Sequence, residues 1–280
     1  MPPLLAGLGL KPEFFEQALA ERAPGQWWEV HPENYAVGGG PRRAWLEAIR
    51  REHPLSLHGV SLSLAGVHAP PPEGLQSLAD LVRALAPALV SDHLAWSWHA
   101  GRYAPDLLPV QRDLATLQRL CRRLDEVQNA LGRPLAIENP SHYLPLAHEW
   151  DEVDFLHEVN RRTGCQLLVD LNNLVVSAHN VGQDAQDWVD RVRADAVVEL
   201  HLAGHQPDAA SNLLIDSHDT SVGEAAWALH ERLIRRIGPR PTLIERDAQL
   251  PPYAQLQAEC ARARQQLLAA SAQQGSSHVA

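Results

Sequence analysis

The sequence predicts a (β/α)₈ TIM barrel. Short runs apolar on both faces alternate strictly with longer amphipathic runs, the pattern of a buried parallel sheet with helical crossovers. Eight such strand–helix units fit into 280 residues, close to the usual length of about 250 for a closed barrel. An open doubly wound sheet is the alternative. It usually shows a glycine-rich first turn, and Gly7–Glu13 reads GLGLKPE, without GxGxxG.

The strand candidates are Leu4–Leu10, Trp27–Glu33, Leu55–Ser61, Leu89–Ala95, Pro134–Asn139, Gln166–Asn172, Val197–Ala203 and Thr242–Asp247. Each is short and rich in Leu, Val or Ile. Between them, Pro12–Glu21 and Pro41–Arg51 open with a proline at a first helical position. Glu73–Leu85 is helical, and Val110–Leu131 sets Leu114, Leu117, Leu120, Leu124 and Val127 at helical spacing. Glu152–Arg162, Ala185–Arg193, Gly223–Ile237 and Tyr253–Ala269 complete the helices. Asp106 and Asp151 stand where helix caps are expected. No linker or composition shift divides the chain. One domain over residues 1–272 is expected, with a small, polar, flexible tail at 273–280.

The charge narrows the function. A net charge of −10 repels phosphate backbones, so no nucleic-acid partner is expected. Arg42, Arg43, Arg50, Arg51, Arg235, Arg236 and Arg240 read as solvated helix faces. The cysteines Cys121, Cys165 and Cys260 match neither a disulfide framework nor a zinc ribbon. The first residues lack the basic and apolar regions of a signal peptide, and no run is long enough to span a membrane. A soluble cytoplasmic protein without a membrane partner is expected.

The 15 histidines carry more information. In barrels the reactive residues come from the C-terminal ends of strands. Read there, the second strand gives Glu33 and Asn34, the third His58, the fourth His93 and the fifth Glu138-Asn139. The sixth gives Asp170, Asn172 and Asn173, and the seventh His201, with His205 beyond it. The next loop holds Asp216, His218 and Asp219, and the eighth strand ends in Glu245 and Asp247. One strand-end histidine is ordinarily a hydrogen-bonded core residue, and one aspartate ordinarily a cap. A whole rim of them is different, because buried ions are costly unless paired or bound to a cation.

The candidate metal ligands are His58, His93, Glu138, Asp170, Asn173, His201, Asp216, His218 and Glu245. Nitrogen and oxygen donors without thiolate suit iron, manganese or zinc. Nine ligands exceed what one ion holds, so two or three metals with open, catalytic positions are expected. His58, His93, Glu138, Asp170, His201 and Glu245 are the expected catalytic set, acting through the metals. His205 and Glu33 are the borderline members. His31, His53, His68, His99, His142, His148, His157, His179 and His230 read as surface residues or as support around the site. Trp96 and Trp98 wall a pocket or pack in the core.

Eight segments in order carry a family resemblance. They are HGVSLSL (58–64), VSDHLAWS (90–97), DLLPV (106–110), ENPSHY (138–143), RTGCQLLVDLNN (162–173), ELHLAGH (199–205), LIDSHD (214–219) and PTLIERD (241–247). Together they resemble the multinuclear non-heme iron-dependent oxidative enzymes, which include the methanobactin biosynthesis oxidase. The resemblance runs from Gly7 to Ala263. It implies a barrel holding two or three irons on the nine residues above, of mixed valence, with Glu138 as a bridge and O₂ as co-substrate. It implies a cysteine-containing ribosomal precursor peptide as substrate and a leader-binding partner protein. Family outcomes at cysteine include oxazolone–thioamide formation, carbon excision and thiooxazole formation. The chain departs from the family pattern at Arg246, often Trp, at Pro32-Glu33-Asn34-Tyr35, often Ala-Glu-Asn-Tyr, and in DLLPVQRD, which lacks a second proline. These bear on the substrate pocket and leave every candidate ligand in place.

Two other classes fit the same residues. One is a zinc- or manganese-dependent hydrolase or isomerase of the xylose-isomerase-like kind. The other is a non-catalytic metal-binding subunit of a peptide-modifying complex. Bound zinc without O₂ uptake marks the first, and iron loading without O₂ consumption marks the second.

Overall fold

The computed structural model describes residues 4–277. The strands in chain order are β1 (Ala6–Gly9), β2 (Trp27–Val30), β3 (Leu55–Gly59), β4 (Leu89–His93), β5 (Trp96–His99) and β6 (Arg102–Leu108). They continue with β7 (Ala136–Glu138), β8 (Gln166–Asp170), β9 (Val197–Leu202), β10 (Gln206–Pro207), β11 (Leu214–Ile215) and β12 (Thr242–Ile244). Eight of them close a parallel barrel in the order β1-β12-β9-β8-β7-β4-β3-β2. Each predicted strand run supplies one stave, so the expected fold is the observed one. Two antiparallel hairpins, β5–β6 and β10–β11, stand apart from the barrel.

The helices are α1 (Phe15–Ala20), α2 (Gly40–Glu52), α3 (Pro72–Leu85), α4 (Leu114–Leu131), α5 (Glu152–Thr163), α6 (Leu171–Val181), α7 (Ala185–Arg191), α8 (Glu224–Ile237) and α9 (Tyr253–Ser277). Their apolar stripes lie against the barrel: Leu117, Leu120, Leu124 and Val127 of α4 are all buried. Leu114, in the same predicted stripe, is exposed because it opens the helix. Gly7 lies where β1 meets β2; a side chain there would run into the Trp27 indole. No helix among the described residues is long and apolar enough to cross a membrane.

Several boundaries differ from the sequence pattern, each for a local reason. The second strand stops at Val30, because Pro32 opens a 3₁₀ turn over Pro32–Tyr35. Glu33 therefore sits in that turn and not at a strand end. The sixth barrel strand stops at Asp170 and α6 starts at the next residue, with the Asp170 carboxylate accepting from the Asn173 N–H at 2.6 Å. Asp151 caps α5 as expected, accepting from Val153 N. Asp106 caps nothing: it lies within β6, its carboxylate accepting from the next residue's N–H. Asp113 is the cap that starts α4. Helix α9 continues to Ser277, past the predicted end at Ala269 and into the segment read as tail; residues 278–280 lie outside the described residues.

Candidate metal centre

The register of the barrel brings the strand-end residues together. His58 pairs with Ser91, and His93 with Glu138, across neighbouring strands. His58 Nε2 and His93 Nε2 are 3.2 Å apart, and each lies 3.1 Å from Glu138 Oε2. Three donor atoms thus form a nearly equilateral triangle. An octahedral ion with bonds of about 2.2 Å presents faces with edges of about 3.1 Å.

The remaining ring nitrogens fix both imidazoles. His93 Nδ1 donates to the Gly59 carbonyl at 3.0 Å, so Nε2 of the neutral ring is a bare lone pair. His58 Nδ1 meets Ser91 Oγ at 2.8 Å. Gly59 is held to glycine, since a side chain would overlap the Asp92 carboxylate. Burial pushes His93 down to about 4, and the neighbouring His58 adds to this. Burial also opposes charge on His58, but Glu138 and then Glu29 outweigh it and raise His58 to about 10. Glu138 is held down at about 2; burial opposes this, and the facing imidazoles of His93 and His58 prevail.

The second oxygen of Glu138 faces the other way, with Oε1 3.8 Å from His201 Nδ1. That nitrogen also lies 3.1 Å from Glu245 Oε2. Asp170, His201 and Glu245 form a second buried group with ligand atoms in reach of one common ion, and His58, Glu138 and His201 form another. Asp170 is pushed well up by burial, by Glu138 and by Asp216. Its Oδ2 has no hydrogen-bond partner, and neither has Glu138 Oε2 or Asn173 Oδ1. Buried carboxylate and amide oxygens without donors need a cation or protons. The donor set fits a metal centre on this ground.

The third part of the rim is more open. His218 Nε2 contacts Asp216 Oδ1 at 2.7 Å, while its Nδ1 lies 3.2 Å from Asp247 and 3.5 Å from Glu245. His218 adopts a left-handed backbone, φ 48°, at this tight turn. Asp216 is held from behind by Asn172 Nδ2, and its own N–H donates to the Tyr143 hydroxyl. A cavity of about 360 Å³ opens over this region, with His93, Asn173, Asp216, His218 and Glu245 in its wall and Leu107 and Val60 on its apolar side.

All nine predicted ligands therefore lie in or beside one rim cluster. The two borderline residues are engaged elsewhere. Glu33 Oε1 accepts from Val60 N and Ser61 Oγ, and His205 Nδ1 pairs with Asn172 Oδ1 at 2.7 Å. Four residues were not in the candidate list. His31 and Asp247 stand beside Glu245, and Lys11 holds Asp247 at 2.6 Å. Glu29 and Glu199 lie inside the barrel against His201. Both are lone acids in mid-strand among apolar neighbours, a signal that strand ends alone do not capture. Trp96 packs against the core, and Trp98 meets Tyr103 with the two rings tilted at 45°. Arg246 is buried and pairs with Glu259 at 3.3 Å. The three cysteines are free and none lines this cavity.

One expectation follows for metal loading. At neutral pH the metal-free protein carries a proton on His58, whose folded pKa of about 10 lies above the ordinary 6.5. A cation must displace it, so affinity falls as pH drops below about 10, by about tenfold per unit for one proton. Calorimetry at pH 7–8 in two buffers of different ionisation heat is expected to show at least one proton released per chain. No release contradicts the assignment of His58.

Residues 5–268 match the family model described as RiPP precursor modification enzyme MbnB/TglH/ChrH. A UPF0276 protein of Caulobacter vibrioides is 55% identical over 260 residues, covering 92% of this chain and 93% of that protein. A UPF0276 protein of Bordetella parapertussis is 46% identical over 264 residues, covering 93% and 91%. Among solved structures, a xylose isomerase-like TIM barrel protein from Mycobacterium smegmatis in complex with magnesium superposes with TM-score 0.59 at 15% identity, over 96% of this chain and 97% of that one. Endonuclease IV from Thermus thermophilus superposes with TM-score 0.55 at 17% identity, over 94% and 98%. These two show the fold alone. The family match spans nearly the whole chain and every rim residue, and the chain belongs to the MbnB/TglH/ChrH family of RiPP precursor modification enzymes.

Proposed function

We propose that this protein oxidises cysteine residues of a ribosomally made precursor peptide, using O₂ and a di- or tri-iron centre on the barrel rim. The observation that carries the reading is the triangle of His58 Nε2, His93 Nε2 and Glu138 Oε2, with edges of 3.1, 3.1 and 3.2 Å. Two histidines and one carboxylate on one face are the donor set of non-heme iron(II) oxygenases.

The ligand roles follow from the contacts. His58, His93 and Glu138 would hold one iron. Glu138 Oε1, Asp170, His201 and Glu245 would hold a second, which makes Glu138 the bridge. Asn173, Asp216 and His218 would hold a third. Iron so bound supplies a soft contact for the substrate thiolate and electrons for O₂. The protein supplies orientation. The Gly59 carbonyl and Ser91 hydroxyl fix the two imidazoles so that both Nε2 atoms face Glu138. The Asn173 N–H takes Asp170 Oδ1 and leaves Oδ2 free. The cavity over the rim admits a side chain of cysteine size, and Leu107, Val60 and Pro140 give it an apolar wall that limits water. A leader-binding partner protein would deliver the peptide.

Oxygen uptake tests this reading. Iron-loaded protein, given reductant and the precursor peptide, is expected to consume O₂, and a peptide with its cysteines changed to alanine is expected to abolish the uptake. Iron loading without cysteine-dependent uptake contradicts it and favours a non-catalytic metal-binding subunit. Activity with zinc and no O₂ favours a hydrolase or isomerase.

A further inference from the structure

Beneath the rim, the barrel axis holds a second set of ligand atoms that the oxidative reading does not use. Glu29 projects from the middle of β2 and Glu199 from the middle of β9, at 4% and 0% exposure. His201 Nε2 lies 3.4 Å from Glu29 Oε1 and 3.9 Å from Glu199 Oε1. The other nitrogen of the same ring faces Glu245 and Glu138. His201 thus stands between two carboxylate pairs, one at the rim and one below it.

The lower set is short of partners. Both Glu199 oxygens, Glu29 Oε2 and His201 Nε2 make no hydrogen bond. Ser56, paired with Glu29 in the strand register, leaves its hydroxyl unpartnered as well. Among the described residues, the only basic group in ion-pair range of either carboxylate is the His201 imidazole. Two buried carboxylates facing a single imidazole lack positive charge. A tetrahedral ion with bonds of about 2.1 Å has donor–donor edges of about 3.4 Å, so the Glu29–His201 edge already fits, and all three ligand atoms lie within 4.8 Å of one another.

We propose that Glu29, Glu199 and His201 Nε2 form an inner cation site on the barrel axis, joined to the rim centre through the shared His201 ring. Two carboxylates and one imidazole suit a divalent first-row ion such as Zn²⁺, Mn²⁺ or Fe²⁺. Entry runs past Glu29, which lines a cavity of about 180 Å³ together with Gly9, His31, Asn34 and Glu245. Held by cations through both nitrogens, the His201 ring would be an imidazolate, with its ring protons released to the buffer. An ion this deep exchanges slowly.

Metal counting on the full-length protein tests the proposal. Apo-protein is loaded anaerobically with Fe²⁺ or Zn²⁺, passed through a desalting column and analysed for metal per chain. Glu199→Gln is expected to lose about one equivalent while keeping the coupled-iron Mössbauer signal of the rim. The rim double variant His93→Ala/Glu138→Ala is expected to retain about one equivalent that resists brief chelation. Anomalous diffraction from wild-type crystals, collected at the edge of the loaded metal, is expected to show a peak between Glu29, Glu199 and His201, and decides the matter if Glu199→Gln fails to fold. Full metal content in Glu199→Gln, or no anomalous peak at that point, overturns the inner site. A peak there with an empty rim would instead sink the rim assignment and leave this one standing.

Discussion

Glu138→Ala is expected to lose the coupled iron pair and nearly all oxidative activity. Glu138 turns its two oxygens to two different groups of candidate ligands, the His58–His93 pair and His201. Removing a partner that only orients a ligand costs about 10–100-fold in metal affinity or activity. Removing a ligand that serves two positions costs more, about 10³-fold or greater in turnover. Iron content should fall by at least one equivalent per chain. Glu138→Gln keeps the shape but not the charge, and is expected to lose the coupling as well. Metal analysis and O₂ uptake on both variants check this, with circular dichroism as the control for folding. Full iron and full activity in Glu138→Ala would show that the ligand assignment is wrong.

The second large effect lies outside the rim. Glu152 opens α5, is almost completely buried, and gathers three close contacts: His142 Nε2 at 2.7 Å, Gln183 Nε2 at 2.9 Å and Trp188 Nε1 at 2.9 Å. Arg112 stands 3.5 Å away. The cluster ties the loop after β7 to α5, α6 and α7, and His142 N also donates to Ser177 Oγ. Removing one partner of a buried charge cluster typically costs about 3–5 kcal/mol. Glu152→Ala is therefore expected to lower the thermal midpoint by about 10 °C. A drop of less than about 3 °C contradicts this account. The pH dependence has a fixed sign. Burial opposes the charge on Glu152, but His142, Arg112 and Gln183 outweigh it and hold the group at about 2 against an ordinary 4.5. Its stabilisation is present above about pH 4.5 and is lost as pH falls towards 2. Wild type should lose stability in that window more steeply than Glu152→Ala.

The barrel was legible because its staves are the simplest signal a chain can carry. VVELHL, QLLVD and LSLHG are short, rich in Leu or Val, and carry a ligand-type residue at or next to their last position, so strand and site were read together. Three things were harder. A strand that passes directly into a helix gives no turn signal. Asp170 both ends β8 and caps α6, so the predicted strand Gln166–Asn172 runs two residues into the helix. The β5–β6 hairpin has a polar, exposed outer strand, RYAPDLL, with no burial to impose alternation, so Asp106 looked like a cap. Glu29 and Glu199 lie in mid-strand, where strand-end residues give no signal. WWEV and VVELHL each hide one acid that belongs inside the barrel. The cluster itself was visible in residue types, whereas which nitrogen faces which oxygen depends on register and packing that no spacing encodes.

The central claim is that the rim holds coupled iron. Protein purified anaerobically from iron-supplied cells, analysed for metal and by Mössbauer spectroscopy, tests it most directly. The account predicts two or three irons per chain at the rim, with at least two coupled through the Glu138 carboxylate. Zinc filling the rim after iron supplementation, or iron present only as isolated, uncoupled ions, would contradict it.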